Sequence, residues 1–260
     1  TTRFPTYNLP GNADVYDFAM QMPVEECANM LIMFYACYRY DGDKNFFAAN
    51  ADLADKWVGY LVDNGLHPAN QLCTDDFAGH LANNLNLAIK ATVGIACYAE
   101  LLRSVGDQSG ADKYRKIAKD FAAEISAFGN KFDHLPITWD NNDGTYSLKY
   151  NMAFDKVLGL GLFDNMFAER EVTYYLSRLN EYGVPLDNRK EYTKSDWLVW
   201  AASLSDDKAK QGKLIAALDK YLRTSYERIP FADWYETEST LHHEFLARSV
   251  QGGCFMLLLK

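Results

Sequence analysis

Two kinds of helical segment alternate along this chain, and the alternation limits the folds open to it. Segment 81–102 (LANNLNLAIKATVGIACYAELL) is apolar around nearly its whole circumference beyond Leu85, broken only by Asn86, Lys90, Thr92 and Glu100. A helix of that kind must be buried on every side. Segment 112–128 differs: Tyr114, Ile117, Ala118, Phe121, Ile125 and Phe128 mark one face, and Lys113, Arg115, Lys116, Lys119 and Glu124 the other. That is a surface helix with one buried stripe. Buried-type helices read at 24–40, 81–105, 152–163, 195–204 and 243–259, and amphipathic ones at 44–63, 110–128, 165–181 and 207–226. There is no convincing strand pattern, although Tyr146–Tyr150 suits a short extended piece.

The links alternate as well. A buried-type helix passes to the next amphipathic one through short links (Asp41–Asp43, Gly106–Ser109, Asp164, Ser205–Asp206), whereas the return links are long, at 64–80, 129–151, 182–194 and 227–242. Short links make antiparallel neighbours, so the chain reads as a series of αα-hairpins. If the inner helices all run one way, the long loops gather on one rim, and long loops in compact domains are usually functional.

Composition removes some partners. The net charge of −9, with Lys and Arg scattered, disfavours a nucleic-acid backbone or an anionic membrane. No apolar run reads as long enough to span a bilayer. Cys27, Cys37, Cys73, Cys97 and Cys254 form no CxxC pair and read as buried free thiols. Neither a metal nor a cofactor is expected. Gly159–Gly161 and Gly252–Gly253 lie in apolar runs and read as places of close helix packing.

The long loops carry the unusual residues. Met22–Cys27, Gln71–Asn84, Asp143–Asp155, Tyr182–Trp197 and Ile229–Glu244 are dense in Asp, Glu, Tyr, Trp and Asn. Hydrolysis by paired carboxylates needs one group to donate a proton and another to activate water or attack. The acid–base candidates are Asp75, Asp76, Glu26 and Asp196. The substrate-binding candidates are Asn83, Asn84, Tyr150, Asp187, Arg189, Lys194, Trp197, Asp233, Trp234 and Glu236. Plainer readings stand beside these. Glu25 and Glu26 after Pro23, Thr74 with Asp75 and Asp76, and Ser195 with Asp196 all suit first-turn caps and dipole-favoured acids. Asp187, Arg189, Tyr192 and Lys194 suit an ion-pair network that orders a loop. His242–His243 has no third ligand at metal spacing and reads as a hydrogen-bonding pair. No Ser, Cys or Thr nucleophile template is evident, Ser205–Lys208 being a chance S-x-x-K on the opposite rim.

Longer runs narrow the identity. MPVEECANMLIM (22–33), PANQLCTDDFAGHLANNLNLAIKA (68–91), YNMAFDKVLGLGLF (150–163), YGVPLDNRKEYTKSDW (182–197) and FLARSVQGGCFMLLL (245–259) resemble the glutaminase A family of fungi and bacteria, in family order from about residue 14 onward. The resemblance implies an all-α, αα-hairpin toroid of the six-hairpin glycosidase-like type, incomplete in this chain. Residues 1–23 would form a lead-in and 24–260 the toroid part of a larger protein whose all-β domain lies upstream. It also implies glutamine hydrolysis to glutamate and ammonia, often outside the cytoplasm, with a glycoside hydrolase or a non-catalytic carbohydrate-binding toroid as alternatives. The implied partners are a small-molecule or carbohydrate substrate and the remaining N-terminal part of the protein or a neighbouring chain. Apolar surface is therefore expected on 24–40 and 243–259.

Overall fold

The computed structural model describes residues 20–140, 144–226 and 231–259. Asp143, Ile229 and most of the lead-in lie outside them. The chain is mostly helical and divides into two compact units.

In the first unit, α1 (Pro23–Asp41) opens with a proline, whose missing N–H costs nothing in a first turn. Gly42, in the left-handed region at φ 72°, ends it by returning its N–H to the Tyr38 carbonyl. The expected single helix at 44–63 is instead two, α2 (Asn45–Ala49) and α3 (Ala51–Asn64). Asn50 makes the break, since its side-chain amide donates to the Phe46 carbonyl while its backbone takes a non-helical conformation. α4 (Leu85–Ser104) starts later than 81, where the Asn84 side chain accepts the Leu87 N–H. It is buried almost throughout, as its all-round apolar sequence requires. A Cβ at Gly94 would stand 3.0 Å from the Ala28 Cα, so glycine sets the close approach of α1 to α4. By length and composition α4 could cross a membrane, which corrects the reading that no run is long enough. It is a core helix, with 89% of its most apolar window buried inside the protein. α5 (Gln108–Gly129) follows with one buried stripe.

The second unit contains α6 (Met152–Leu158) up to Val157, α7 (Asn165–Ser177), β1 (Tyr192–Lys194), α8 (Ser195–Ala202), α9 (Lys208–Thr224), β2 (Trp234–Glu236) and a 3-10 helix at Ser249–Leu259. α6 stops short of 163 because Gly159 (φ 68°) and Gly161 (φ 62°) are both left-handed. A Cβ at either would meet nothing within 4 Å, so neither marks close packing. The two strands pair antiparallel, Thr193 opposite Tyr235. Three residues each are too few to show a period-2 pattern in sequence. Around Tyr146–Tyr150 the backbone is extended as expected, with Leu148 N–H bonded to the Leu186 carbonyl at 2.8 Å.

The expected buried helix at 243–259 is not found. Bridges Ala232–Leu246 and Tyr235–His242 hold the start of this stretch extended, and Ala247 is left-handed at φ 51°. Helix begins only at Ser249, in 3-10 form, with Met256 its buried residue. Apolar surface does lie on α1 (Met33, Tyr40) and on this segment (Phe255, Leu258, Leu259). The other helices of buried type hide more of their residues than the amphipathic ones of the same unit. All five cysteines are free, but only Cys27, Cys73 and Cys97 are buried; Cys37 is exposed on the solvent side of α1, and Cys254 is partly exposed.

Candidate active site

Each unit assembles its own cluster of buried charge. In the first, α4 carries Lys90 into the core, where its side chain is 4% exposed. An ammonium there needs an anion, and the first turn of α1 supplies Glu25, 2% exposed, in a direct ion pair. The Glu25 Oε1 atom also accepts from the Thr74 hydroxyl and, at 3.2 Å, from the Asn29 amide. Lys90 Nζ lies 3.4 Å from Thr74 Oγ1. The Gln71 side chain binds the same turn, accepting the Val24 N–H at 3.0 Å, so the Gln71–Asn84 loop is tied to the start of α1.

Glu26, next to this pair, is partly exposed. Burial, helped by the neighbouring Glu25 carboxylate, pushes its carboxyl above the usual range, and Lys90 only partly offsets the rise. Asp75 is buried beside Cys73, whose thiol is pushed well up by burial and by the charges of Asp75 and Glu25. Asp76 is exposed, with its carboxylate bonded to the Phe77 N–H at 2.8 Å. The Asn84 amide is used within the protein at both ends, as the α4 cap and as a donor to Cys73 Sγ at 3.6 Å. Asn83 is left-handed (φ 54°) and bonds Asp140. The loop that bears Asp75 and Asp76 is thus tied, through Gln71 and Thr74, to the turn that bears Glu25 and Glu26.

In the second unit β1 runs directly into α8, and the junction presents Lys194 and Asp196 two residues apart. Lys194 pairs with Asp233, which precedes β2, and lies 3.5 Å from Asp196 Oδ1. Arg248 also grips Asp233, with Nη2 2.7 Å from the Oδ2 that Lys194 shares and Nε 3.2 Å from Oδ1. Burial raises the Asp233 carboxyl, but hydrogen bonds from Arg248 and Lys194 outweigh it and hold the group below its ordinary range. Asp196 goes the other way: burial dominates, Asp233 adds to it, and Lys194 compensates only in part. Two carboxyl groups driven in opposite directions have the electrostatic form of an acid paired with a base. Lys194 Nζ also stands 4.8 Å over the Trp197 ring, which stacks on Tyr150 with centroids 4.8 Å apart.

Asp187 and Arg189 form a bidentate pair within one turn, with Nη2–Oδ2 at 2.6 Å. Trp234 joins a partly exposed aromatic group, 4.2 Å from His243 and 5.3 Å from Tyr192 between ring centroids. Glu236 accepts from His243 Nε2 at 2.7 Å.

Three features escaped the sequence. Arg248 sits in an apolar run and was legible only as a scattered cation. His243 hydrogen-bonds as expected, but its partner, Glu236, lies seven residues back across the hairpin. The Glu25–Lys90–Thr74 cluster did leave a signal, since a lysine inside an otherwise apolar helix requires a buried anion.

The chain matches the family model of the glutaminase A six helical-hairpin domain over residues 4–258. It is 35% identical over 246 residues to glutaminase A of Aspergillus oryzae (strain ATCC 42149 / RIB 40), covering 92% of the chain and 35% of that protein. It is 30% identical over 235 residues to a probable glutaminase of Arthroderma benhamiae (strain ATCC MYA-4681 / CBS 112371), covering 78% of the chain and 27% of the relative. The chain thus spans about a third or less of the length of these curated relatives. Among solved structures, a sugar epimerase from a ruminal bacterium superposes with a TM-score of 0.56 at 15% identity, covering 91% of this chain and 71% of that one. That likeness concerns the fold alone.

Proposed function

Because the chain belongs to the glutaminase A family, in its six helical-hairpin domain, we propose that it contributes the reaction site of a glutaminase-like hydrolase converting glutamine to glutamate and ammonia. The observation that carries this reading beyond the family name is Glu26. Its carboxyl is raised by burial and by Glu25, yet the residue remains partly exposed beside an ion-paired carboxylate. Breaking the carboxamide C–N bond releases ammonia, a poor leaving group unless protonated, and a carboxyl kept neutral to higher pH is suited to supply that proton. Asp75 and Asp76, on the loop that faces this turn, are the accompanying acid–base or anchoring groups, with Asn83 among the substrate contacts. In the second unit, Asp196 is an acid of the same type beside Lys194 and Asp233.

A second reading is glycoside hydrolysis, favoured by the Trp234, Tyr192 and His243 rings around Glu236, a surface suited to stack on a sugar face. The test is ammonia release from glutamine measured beside chromophore release from an aryl-glycoside panel. The amide reading expects the first, with a large loss in Glu26→Gln. Glycoside turnover lost in Glu236→Gln, without ammonia release, would replace it.

A further inference from the structure

The three groups around Glu25 Oε1 have an order of their own. Thr74 Oγ1 is a hydroxyl on a partly exposed loop residue, and it donates to a carboxylate buried beneath it. That carboxylate is fixed by an ammonium from α4, which also reaches to 3.4 Å from the hydroxyl oxygen. A hydroxyl within hydrogen-bond reach of a base that is itself oriented by a third group is the geometric signature of an activated nucleophile. A loop tie alone would not need the hydroxyl at this spot, because Gln71 already anchors the same loop to the same turn. Glu26, the next residue of the same first turn, is partly exposed and is the other carboxyl of that turn.

We infer that Thr74 is the nucleophile of a covalent amide hydrolysis, with Glu25 as its base, Lys90 as the positioning residue and Glu26 as the acid. This rests on the amide-hydrolysis reading above. Thr74 Oγ1 attacks the side-chain carboxamide carbon of glutamine as its proton passes to Glu25. The C–N bond breaks as Glu26 gives its proton to the departing ammonia, leaving a glutamyl ester on Thr74. Water then attacks that ester and gives a proton to Glu26. The ester C–O bond breaks, Thr74 Oγ1 recovers its proton from Glu25, and glutamate leaves. Both carboxyls return to their starting states, and the sum is glutamine plus water giving glutamate plus ammonia.

The test compares the protein with Thr74→Val, which keeps the shape and loses the hydroxyl, and with Thr74→Ser, which keeps the hydroxyl. Ammonia release is measured with and without hydroxylamine, and labelling by 6-diazo-5-oxo-norleucine, a glutamine-shaped alkylating agent, is mapped by peptide mass. The expected result is a glutamyl hydroxamate in hydroxylamine, a label on the peptide bearing Thr74, at least a thousandfold loss of kcat in Thr74→Val at unchanged helical circular dichroism, and recovery in Thr74→Ser. Lys90→Met should lower kcat with KM little changed, which a loop tie alone would not produce. Glutamine turnover retained within threefold in Thr74→Val, or a label on another residue, overturns the nucleophile and leaves the hydrolase reading standing. A protein that neither releases ammonia nor takes the label overturns both. A label on Thr74 without glutamine turnover supports the nucleophile and redirects the substrate to another amide.

Discussion

Replacing Lys90 by Met isolates the energetics of the first unit's buried pair. Lys90 is 4% and Glu25 2% exposed, so neither charge recovers much hydration in the folded state. Removing the ammonium leaves a carboxylate whose remaining donors are the Thr74 hydroxyl and the Asn29 amide, neither carrying charge. Stranding one member of a buried pair costs about 3–5 kcal/mol, a large share of the roughly 5–15 kcal/mol that holds an ordinary domain together. The companion variant Glu25→Gln/Lys90→Met removes both charges and keeps a side chain that can still bond Thr74. It should regain more than half of the loss, because a neutral replacement of an ion pair is often close to isoenergetic. Urea unfolding followed by circular dichroism, run as a double-mutant cycle, measures both quantities. A single-variant loss below about 1 kcal/mol, or a double variant as unstable as the sum of its parts, would refute the claim that this pair is a desolvated unit.

Three further outcomes follow from the geometry. Glu26 has a carboxyl raised above its ordinary value of 4.5; its contribution to stability is therefore full below that pH and is lost as pH rises through the folded value. Glu26→Gln should accordingly be more stable than the parent at pH 7 and no different near pH 3, in parallel urea titrations, while losing about 10²–10⁴-fold in turnover. Asp233 has a carboxyl held below its ordinary 3.8, so its contribution is present above that pH and disappears as pH falls. Arg248→Gln should cost about 1–2 kcal/mol at neutrality, since Arg248 is itself partly exposed, and should start acid unfolding at a higher pH. A Cβ at Gly253 would lie 2.7 Å from Trp200 Nε1 and 2.8 Å from the Asp196 Cβ. Gly253→Ala should cost about 1–3 kcal/mol and shift tryptophan emission, as Trp200 loses its hydrogen bond to the Gly253 carbonyl. Unchanged emission and stability would mean that the 3-10 segment yields freely.

The helices were legible where one interaction set them. α4 is apolar on all faces, α5 on one, and either pattern fixes burial without knowledge of any neighbour. The failures occurred where a distant partner or a single torsion decided. Residues 243–259 have the composition of a buried helix, but pairing of 242 and 246 with the strand region holds their first part extended. The break at Asn50 turned on one side-chain amide. Among site residues, the loop acids were visible as a group, and the assignment within the group was not. Glu25 and Glu26 are adjacent and chemically alike. Only the direction of Lys90 makes one an ion-pair partner and leaves the other as the carboxyl that burial raises. Thr74 read as a cap, and no sequence spacing relates it to Glu25, forty-nine positions earlier.

The passage from β1 into α8 without an intervening residue has a mechanical consequence. Lys194 ends the strand with extended backbone angles (φ −123°, ψ 132°), and Ser195 is already helical. A loop would absorb small rotations of the hairpin before they reached the helix; a joint of zero length passes them on. A load on the Trp234 side of the hairpin would therefore reach the base of α8, where Lys194 and Asp196 would move together. In this unit the aromatic surface at Trp234 and the Asp196 carboxyl are linked through a joint of zero length, so lengthening it by a single residue would uncouple them while leaving both intact.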